Sequence, residues 1–427
     1  MTAEENDLLC RIEGDAPMGQ LMRRHWIPAC LAEEVADPDG APVRVKLLGE
    51  ELVVFRDTAG KLGILGEHCP HRGVSLALGR NEECGLRCLY HGWKMDVEGN
   101  VLEQPSEHGD RRRPLKHKAY PVRESGGFVW TYMGPADAVP DFERPAFAPN
   151  GDVRVSIVKI AVACNWAQIV EGQIDSAHSS TLHASDMVPA EIDGAQATDS
   201  HWLRPSTDRA PQLQSERTSY GFRYAAIRRP IKNPDTQDYV RMTVYIAPFT
   251  CLIPPNNLYN VAAVIVPADD THSMFYFIAW GAHGTTPDNA AWRAFNCAQV
   301  GVDLDMHYRP VRTLDNMYRQ DRAAMKRGDA TGIRGIPNQD IAMWETMGPI
   351  TDRTTDLLAT SDLAVAQFRR IMVDAARKMR AGEPAIGTVA PRVPHAALRS
   401  FEGVVPKTTD WRTLGTPELE RSPASAA

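Results

Sequence analysis

At 427 residues, with 43% hydrophobic and 24% charged side chains, the chain has material for two domains, or three small ones, with ample core. A net charge of −7 argues against nucleic acid or an acidic membrane as partner, and no apolar run nears the ~20 residues of a membrane span. The N-terminus is acidic and polar rather than a secretory signal, and eight scattered cysteines fit a reducing cytoplasm better than a disulfide scaffold.

Residues 1–40 read as an N-terminal helical segment: over 15–36, Met18, Leu21, Met22 and Trp26 fall near one face, and Pro28 ends or bends it. From Val43 the pattern turns to short strands and glycine turns, predicting a small all-β module over 41–135. Two clusters stand out within it, Cys69-Pro70-His71-Arg72-Gly73 and Cys88-Leu89-Tyr90-His91-Gly92-Trp93. Two thiolates and two imidazoles suit a tetrahedral zinc, or a [2Fe–2S] cluster in which two histidines replace two cysteines on one iron. Zinc usually goes with Cys–Cys and His–His pairs, whereas each loop here is mixed, which favours the Rieske cluster. Cys84 has no histidine three residues on and reads as a spectator.

Residues 136–149 carry Pro140, Pro145 and Pro149 and read as a stiff linker. Beyond it, 150–403 predicts a second domain, with strands near 153–162, 220–228, 239–247, 258–266 and 273–280 and a helical block over 289–326. Asp362 caps a helix in which Phe368, Ile371, Met372, Ala375 and Met379 share a face, and Gly382 stops it. Residues 404–427 read as a polar tail.

A helix beginning at Asn165 carries Gln168, Glu171, Asp175 and His178 as a polar stripe, with His183 five residues after the first histidine. On an unbroken helix five residues turn through about 140°, so the two imidazoles meet one metal only if the helix breaks, and Ser179-Ser180-Thr181 are poor helix formers placed for that break. Two histidines and a carboxylate make the facial triad of a non-haem Fe(II) oxygenase, which leaves positions open for O₂.

With these motifs together the sequence resembles the catalytic α-subunits of Rieske non-haem iron ring-hydroxylating oxygenases, in the phthalate dioxygenase branch. The likeness also takes in Asn165-Trp166 and Asn338-Gln339-Asp340 leading to Trp344-Glu345. It implies that Cys69 and Cys88 hold one iron of a [2Fe–2S] cluster and His71 and His91 the other. His178, His183 and Asp340 would hold a mononuclear Fe(II), in preference to Glu345, Asp321 or Asp352, which read as helix-surface or cap charges. It gives Asp175 the role of accepting a hydrogen bond from His178 and reaching His91 of a neighbouring subunit. Among the second domain's arginines, Arg204 and Arg241 match, with Ser176, the groups that hold aromatic carboxylates in phthalate dioxygenases. Arg228 reads as turn and surface.

The expected architecture is α+β: an all-β Rieske domain, then a catalytic domain with an antiparallel sheet around a long helix. No Gly-x-Gly-x-x-Gly fingerprint is present, so electrons are expected from a separate NAD(P)H-dependent reductase carrying flavin and iron–sulfur. The expected activity is dihydroxylation of an aromatic carboxylate with O₂, by a cytoplasmic homotrimer or hexamer. The nearest rival is O-demethylation or monooxygenation of a methoxylated aromatic acid by the same machinery. The non-enzymatic rivals are a Rieske electron carrier and a zinc-binding module, the latter favoured by a colourless protein.

Overall fold

The computed structural model describes residues 1–108 and 114–415. The chain divides into two compact units, one built from residues 11–142 with 266–270, the other from residues 1–10, 143–265 and 271 onward.

The smaller unit is a set of short antiparallel sheets. Val43–Leu47, Glu50–Arg56, Leu62–Gly66 and Ala119–Tyr120 form one, and Arg80–Glu82, Gly85–Arg87, Lys94–Met95 and Val101–Glu103 another. Val53, Phe55, Leu65, Leu76, Leu86 and Met95 pack into a core that also takes in Cys69 and Cys88. Burying those side chains is what rigidifies the two loops leaving the core.

The segment expected as one helix over 15–36 is a short helix, Pro17–Met22, followed by a strand, Trp26–Leu31. This strand lies at the edge of a three-stranded sheet and pairs with Phe128–Tyr132, its register shifting between Pro28 and Cys30. An edge position with a bulge is where a strand tolerates a residue lacking N–H, so Pro28 marks a strand rather than a helix end. Nor do residues 1–40 form one segment, because the helix Ala3–Cys10 belongs to the larger unit.

The larger unit holds an eight-stranded antiparallel sheet. Its order runs Arg154–Val162, His272–Gly281, Asn260–Asp269, Thr250–Ile253, Gln237–Ile246, Gly221–Arg228 and Gln212–Thr218. The eighth strand, Phe401–Pro406, pairs with Gln237–Ile246. Residues from 404 were expected to be tail. Instead Val404 and Val405 complete this strand and Trp411 is buried, its indole donating to Gln214 Oε1 at 2.8 Å. Residues 416–427 of that expected tail lie outside the described residues. The amphipathic helix Leu363–Arg380 packs on the sheet, with Phe368 edge-on to Tyr245 and Trp166. The block expected as helical over 289–326 is helical only at Asn289–Phe295 and Arg322–Lys326. Between them Met317, Tyr318 and Arg319 all take left-handed φ values, which a helix cannot accommodate.

Two helices position the site. Trp166–Gln173 starts where the Asn165 side chain accepts the Ala167 N–H at 3.0 Å, a standard N-cap. Ile336–Thr346 starts at Gly335, whose φ of 86° lets the chain turn sharply into Pro337. They meet at Gly172, where a Cβ would stand 2.2 Å from Trp344 Nε1. By propensity alone, Gly172→Ala adds about 1 kcal/mol to the helix. The contact reverses the sign: the variant is expected to lose about 1–3 kcal/mol in denaturant unfolding. A Gly172→Ala protein as stable as the parent would show that the two helices are free to separate.

Candidate metal centres and the adjoining cavity

The two Cys/His loops of the smaller unit share one backbone device. In each, the cysteine N–H bonds a carbonyl five residues on (Cys69 to Val74, 2.9 Å; Cys88 to Trp93, 2.8 Å) and its own carbonyl accepts from a glycine four residues on. Those glycines, Gly73 and Gly92, have φ near +75°, a conformation other residues avoid. The loops bring the His71 and His91 rings to 4.5 Å, and His71 stacks flat on Trp93 at 4.8 Å. Cys69 and Cys88 are buried beneath them, and His71 Nδ1 is buried with no hydrogen-bond partner among the described residues. Burial pushes the Cys69 thiol up to about 11, with Cys88 adding to it, so only a bound cation makes this thiol a thiolate ligand. Cys84 is exposed in the turn between two strands of the same unit.

In the larger unit the helix Trp166–Gln173 ends earlier than the polar stripe implied, at Ile174. Asp175 follows in an irregular turn, and His178 opens the one-turn helix His178–Ser180. This break brings both histidines to one point. His178 Nε2 and His183 Nε2 are 3.2 Å apart, and Asp340 Oδ1 lies 3.5 and 3.1 Å from them. Glu171 turns elsewhere, gripped by Arg353 at 2.8 and 3.0 Å and by Arg369 at 2.8 Å. Glu345, Asp321 and Asp352 lie outside the group: Glu345 accepts from Tyr318 and Ala163, Asp321 caps Arg322–Lys326, and Asp352 bonds Thr354.

One outer nitrogen of this group is fixed by its partner. Gln339 Nε2 donates to Asp186 Oδ2 and to the Ile333 carbonyl, both at 2.8 Å. Its Oε1 is therefore an acceptor, and it faces His183 Nδ1 at 2.7 Å. Asp175 Oδ2 faces His178 Nδ1 at 3.6 Å, while its Oδ1 accepts the Ala177 N–H at 2.8 Å. His183 thus carries a proton on Nδ1, and both imidazoles turn their Nε2 atoms toward each other and toward Asp340. Two ring nitrogens and a carboxylate oxygen converging on one point fit a cation. Burial lowers the His178 pKa, but Asp175 and Asp340 more than offset it and the net shift is upward, a further sign of a site built for positive charge. Sequence reasoning assigned no role to Gln339 or Asp186; the one signal was the place of Gln339 beside Asp340.

A cavity opens beside this group, walled by Phe275, Phe277, Ile253 and Trp202 and by the polar side chains of Ser176 and Arg241. Arg204 does not line it. It lines a smaller recess shared with Arg241 and Glu402, and donates to Ser179 Oγ at 2.9 Å and Ser180 Oγ at 3.1 Å. Arg228, expected at the surface, is 1% exposed, because it ends an inner strand of the sheet. Arg204, Arg228 and Arg241 are all buried, yet Glu402 is the one carboxylate within ion-pair reach of any of them among the described residues, 3.5 Å from Arg241. Burial, then the charges of Arg204 and Arg241, press Arg228 down to about 10. Glu402 also accepts the Tyr239 hydroxyl and was missed because no strand was expected there, the boundary at 403 cutting through Phe401–Pro406.

Comparison with known proteins follows this division. Residues 25–121 match the Rieske [2Fe-2S] domain, and residues 131–426 a domain described as LigXa C-terminal domain like. The chain is 62% identical to the phthalate 4,5-dioxygenase oxygenase subunit of Pseudomonas putida, covering 96% of this chain and 94% of the relative. It is 34% identical to the 3-chlorobenzoate-3,4-dioxygenase oxygenase subunit of Comamonas testosteroni, covering 98% of each. In fold it is similar to the solved structure of a caffeine-bound NdmA mutant of Pseudomonas putida CBB5, at a TM-score of 0.60 and 16% identity, over 86% of this chain and 96% of that one.

Replacing Gln339 with methionine keeps the bulk and removes the acceptor for His183 Nδ1–H. Outer hydrogen bonds of this kind are worth about 10- to 100-fold in metal affinity. Gln339→Met is expected to lose iron to a chelator that much more readily, with the visible spectrum of the smaller unit unchanged. Equal retention of iron in variant and parent would remove Gln339 from the site.

Proposed function

Because this chain belongs to the Rieske non-haem iron oxygenases, as the terminal oxygenase component of such a system, we propose that it dihydroxylates an aromatic dicarboxylate of the phthalate type. The observation that carries this reading is the charge of the cavity region. Of three buried guanidinium groups near the cavity, Arg241 alone has a carboxylate within ion-pair reach among the described residues, and the cavity's own carboxylates, Asp175 and Asp340, face His178 and His183. Two guanidinium groups are thus left to meet the charges of a benzene dicarboxylate. The substrate named for the 62% identical relative is of this class.

Enzymes of this family carry a [2Fe–2S] cluster and a mononuclear iron, and so does this one. In our reading Cys69, Cys88, His71 and His91 hold the cluster, and His178, His183 and Asp340 the mononuclear iron. The cluster supplies electrons and the iron activates O₂. The chain's own part is placement. Gln339 keeps the Nδ1 proton on His183, Asp175 faces His178, Arg241 and Ser176 orient a carboxylate, and Arg204 reaches the same region through its recess. Phe275 and Phe277 hold the ring and exclude water.

Subunits of this kind work with a reductase and oligomerise. We take the reductase to be a separate NAD(P)H-dependent protein with flavin and iron–sulfur, and the assembly to be a head-to-tail homotrimer in the cytoplasm, in which His91 of one chain faces Asp175 of the next. Among the described residues no helix is long and apolar enough to cross a membrane.

Product analysis tests the reaction: a cis-diol is expected from the dicarboxylate, whereas formaldehyde from a methoxylated acid would favour demethylation. Arg241→Ala removes a charge-assisted hydrogen bond worth about 1.5–3 kcal/mol, so KM for the dicarboxylate should rise roughly 10- to 150-fold, and much less for an uncharged aromatic. Equal losses on both would end the carboxylate reading. Asp175→Asn keeps the size and the Ala177 contact but not the charge. It should assemble, take up both metals, and hold its cluster reduced when mixed with substrate and O₂. Rapid reoxidation in that variant would place the route between the metals elsewhere.

A further inference from the structure

Ser176 opens the turn between Asp175 and His178 and lines the cavity. Its carbonyl accepts from the Ser179 hydroxyl at 2.9 Å and from Arg228 Nη2 at 2.7 Å. Its hydroxyl oxygen accepts from Arg228 Nη1 at 3.2 Å. A serine hydroxyl has one hydrogen to donate and two lone pairs. With a lone pair taken by the guanidinium, the hydrogen is directed away from Arg228, and among the described residues no acceptor receives it. The open side of Ser176 is the cavity.

We infer that Arg228 is a positioning residue for substrate recognition: by gripping Ser176 at both its carbonyl and its hydroxyl, it makes that hydroxyl a donor into the cavity. The inference rests on the aromatic-carboxylate reading and adds to it the residue that decides which way the serine reads. A hydroxyl free to turn serves donor and acceptor ligands alike. One whose oxygen is already engaged favours a carboxylate and disfavours a ligand presenting N–H or O–H at that point. The geometry leaves Arg228 little latitude. It is buried at the end of the strand Gly221–Arg228, paired there with Tyr239, and its Nε has no partner among the described residues, while both contacts to Ser176 come from the two terminal nitrogens.

The test is a double-mutant cycle in the holoenzyme with phthalate as substrate. Arg228→Lys keeps the charge and offers one ammonium, which can serve the Ser176 carbonyl or its hydroxyl but does not reproduce the two-pronged contact. Arg228→Lys and Ser176→Ala are each expected to raise KM about tenfold with kcat within about threefold, the loss of one hydrogen bond to a charged ligand. In the double variant the rise should remain about tenfold, because both changes remove the same contact. Effects that multiply to about a hundredfold would mean that Arg228 acts on the substrate directly, and would overturn the inference. If the lysine variant loses cluster or iron, Arg228→Gln takes its place, and the criterion becomes a double-variant KM about tenfold below the product of the single effects, because the lost charge weakens binding with or without the Ser176 hydroxyl. Loss of both variants to misfolding would assign Arg228 to stability alone and likewise overturn it. The two readings fail separately: an unselective Arg241→Ala removes the substrate class, whereas a selective one with multiplying Arg228 and Ser176 effects removes only this inference.

Discussion

The oxygenase site depends on how closely two helices approach. His178 and His183 follow one helix and Asp340 sits within another, more than 150 residues later in the chain. Helix axes ordinarily stand about 8–10 Å apart, held off by side chains on both sides. Here one side contributes nothing at the contact: Gly172 meets the Trp344 indole where even a methyl group has no room. The approach brings the C-terminal carbonyls of the second helix within reach of Gln168, which donates to Trp344 O and Gly348 O and accepts from Thr351. Helix-end carbonyls that burial would otherwise leave unpaired are satisfied by the helix they pack against.

Two groups of buried arginines in this unit make an instructive pair. Arg353 and Arg369 are matched by Glu171 and Asp356, with the Glu171 carboxylate held by both guanidinium groups. That network is electrically closed and joins helix to helix. Arg204, Arg228 and Arg241 are as deeply buried but share a single carboxylate. An uncompensated buried charge costs several kcal/mol unless something neutralises it. The closed network is architecture, while the open one beside the cavity is where the proposed dicarboxylate would bring the missing charge.

What the sequence made legible was whatever is local. The cysteine and histidine loops carry their ligand types within five residues of one another, and the histidines after Asn165 carry a spacing that demands a broken helix. The break came sooner than expected, at Ile174 rather than among the serines, which placed Asp175 in a turn. Asp340 was reachable only through family resemblance, since spacing says nothing about a contact closed by folding. Arg228 was misread because Pro230 suggested a turn, although the residue still closes an inner strand. Trp26–Leu31 was misread because the helical periodicity ahead of it ran on into the strand, and Phe401–Pro406 because its composition resembles a tail. Gln339 carried no signal of its own, an amide being as common on a solvated helix face as beneath a metal site.

The strand Phe401–Pro406 makes the order of chain synthesis matter for recognition. Every side chain proposed to touch iron, from Cys69 to Asp340, precedes it, as do Tyr239 and Arg241. Glu402, which the Tyr239 hydroxyl and the Arg241 guanidinium both face, belongs to the strand that joins the sheet last in chain order. Domains emerge and fold from the N-terminus onward. A growing chain thus holds every proposed metal ligand before it holds the one carboxylate that faces Tyr239 and Arg241.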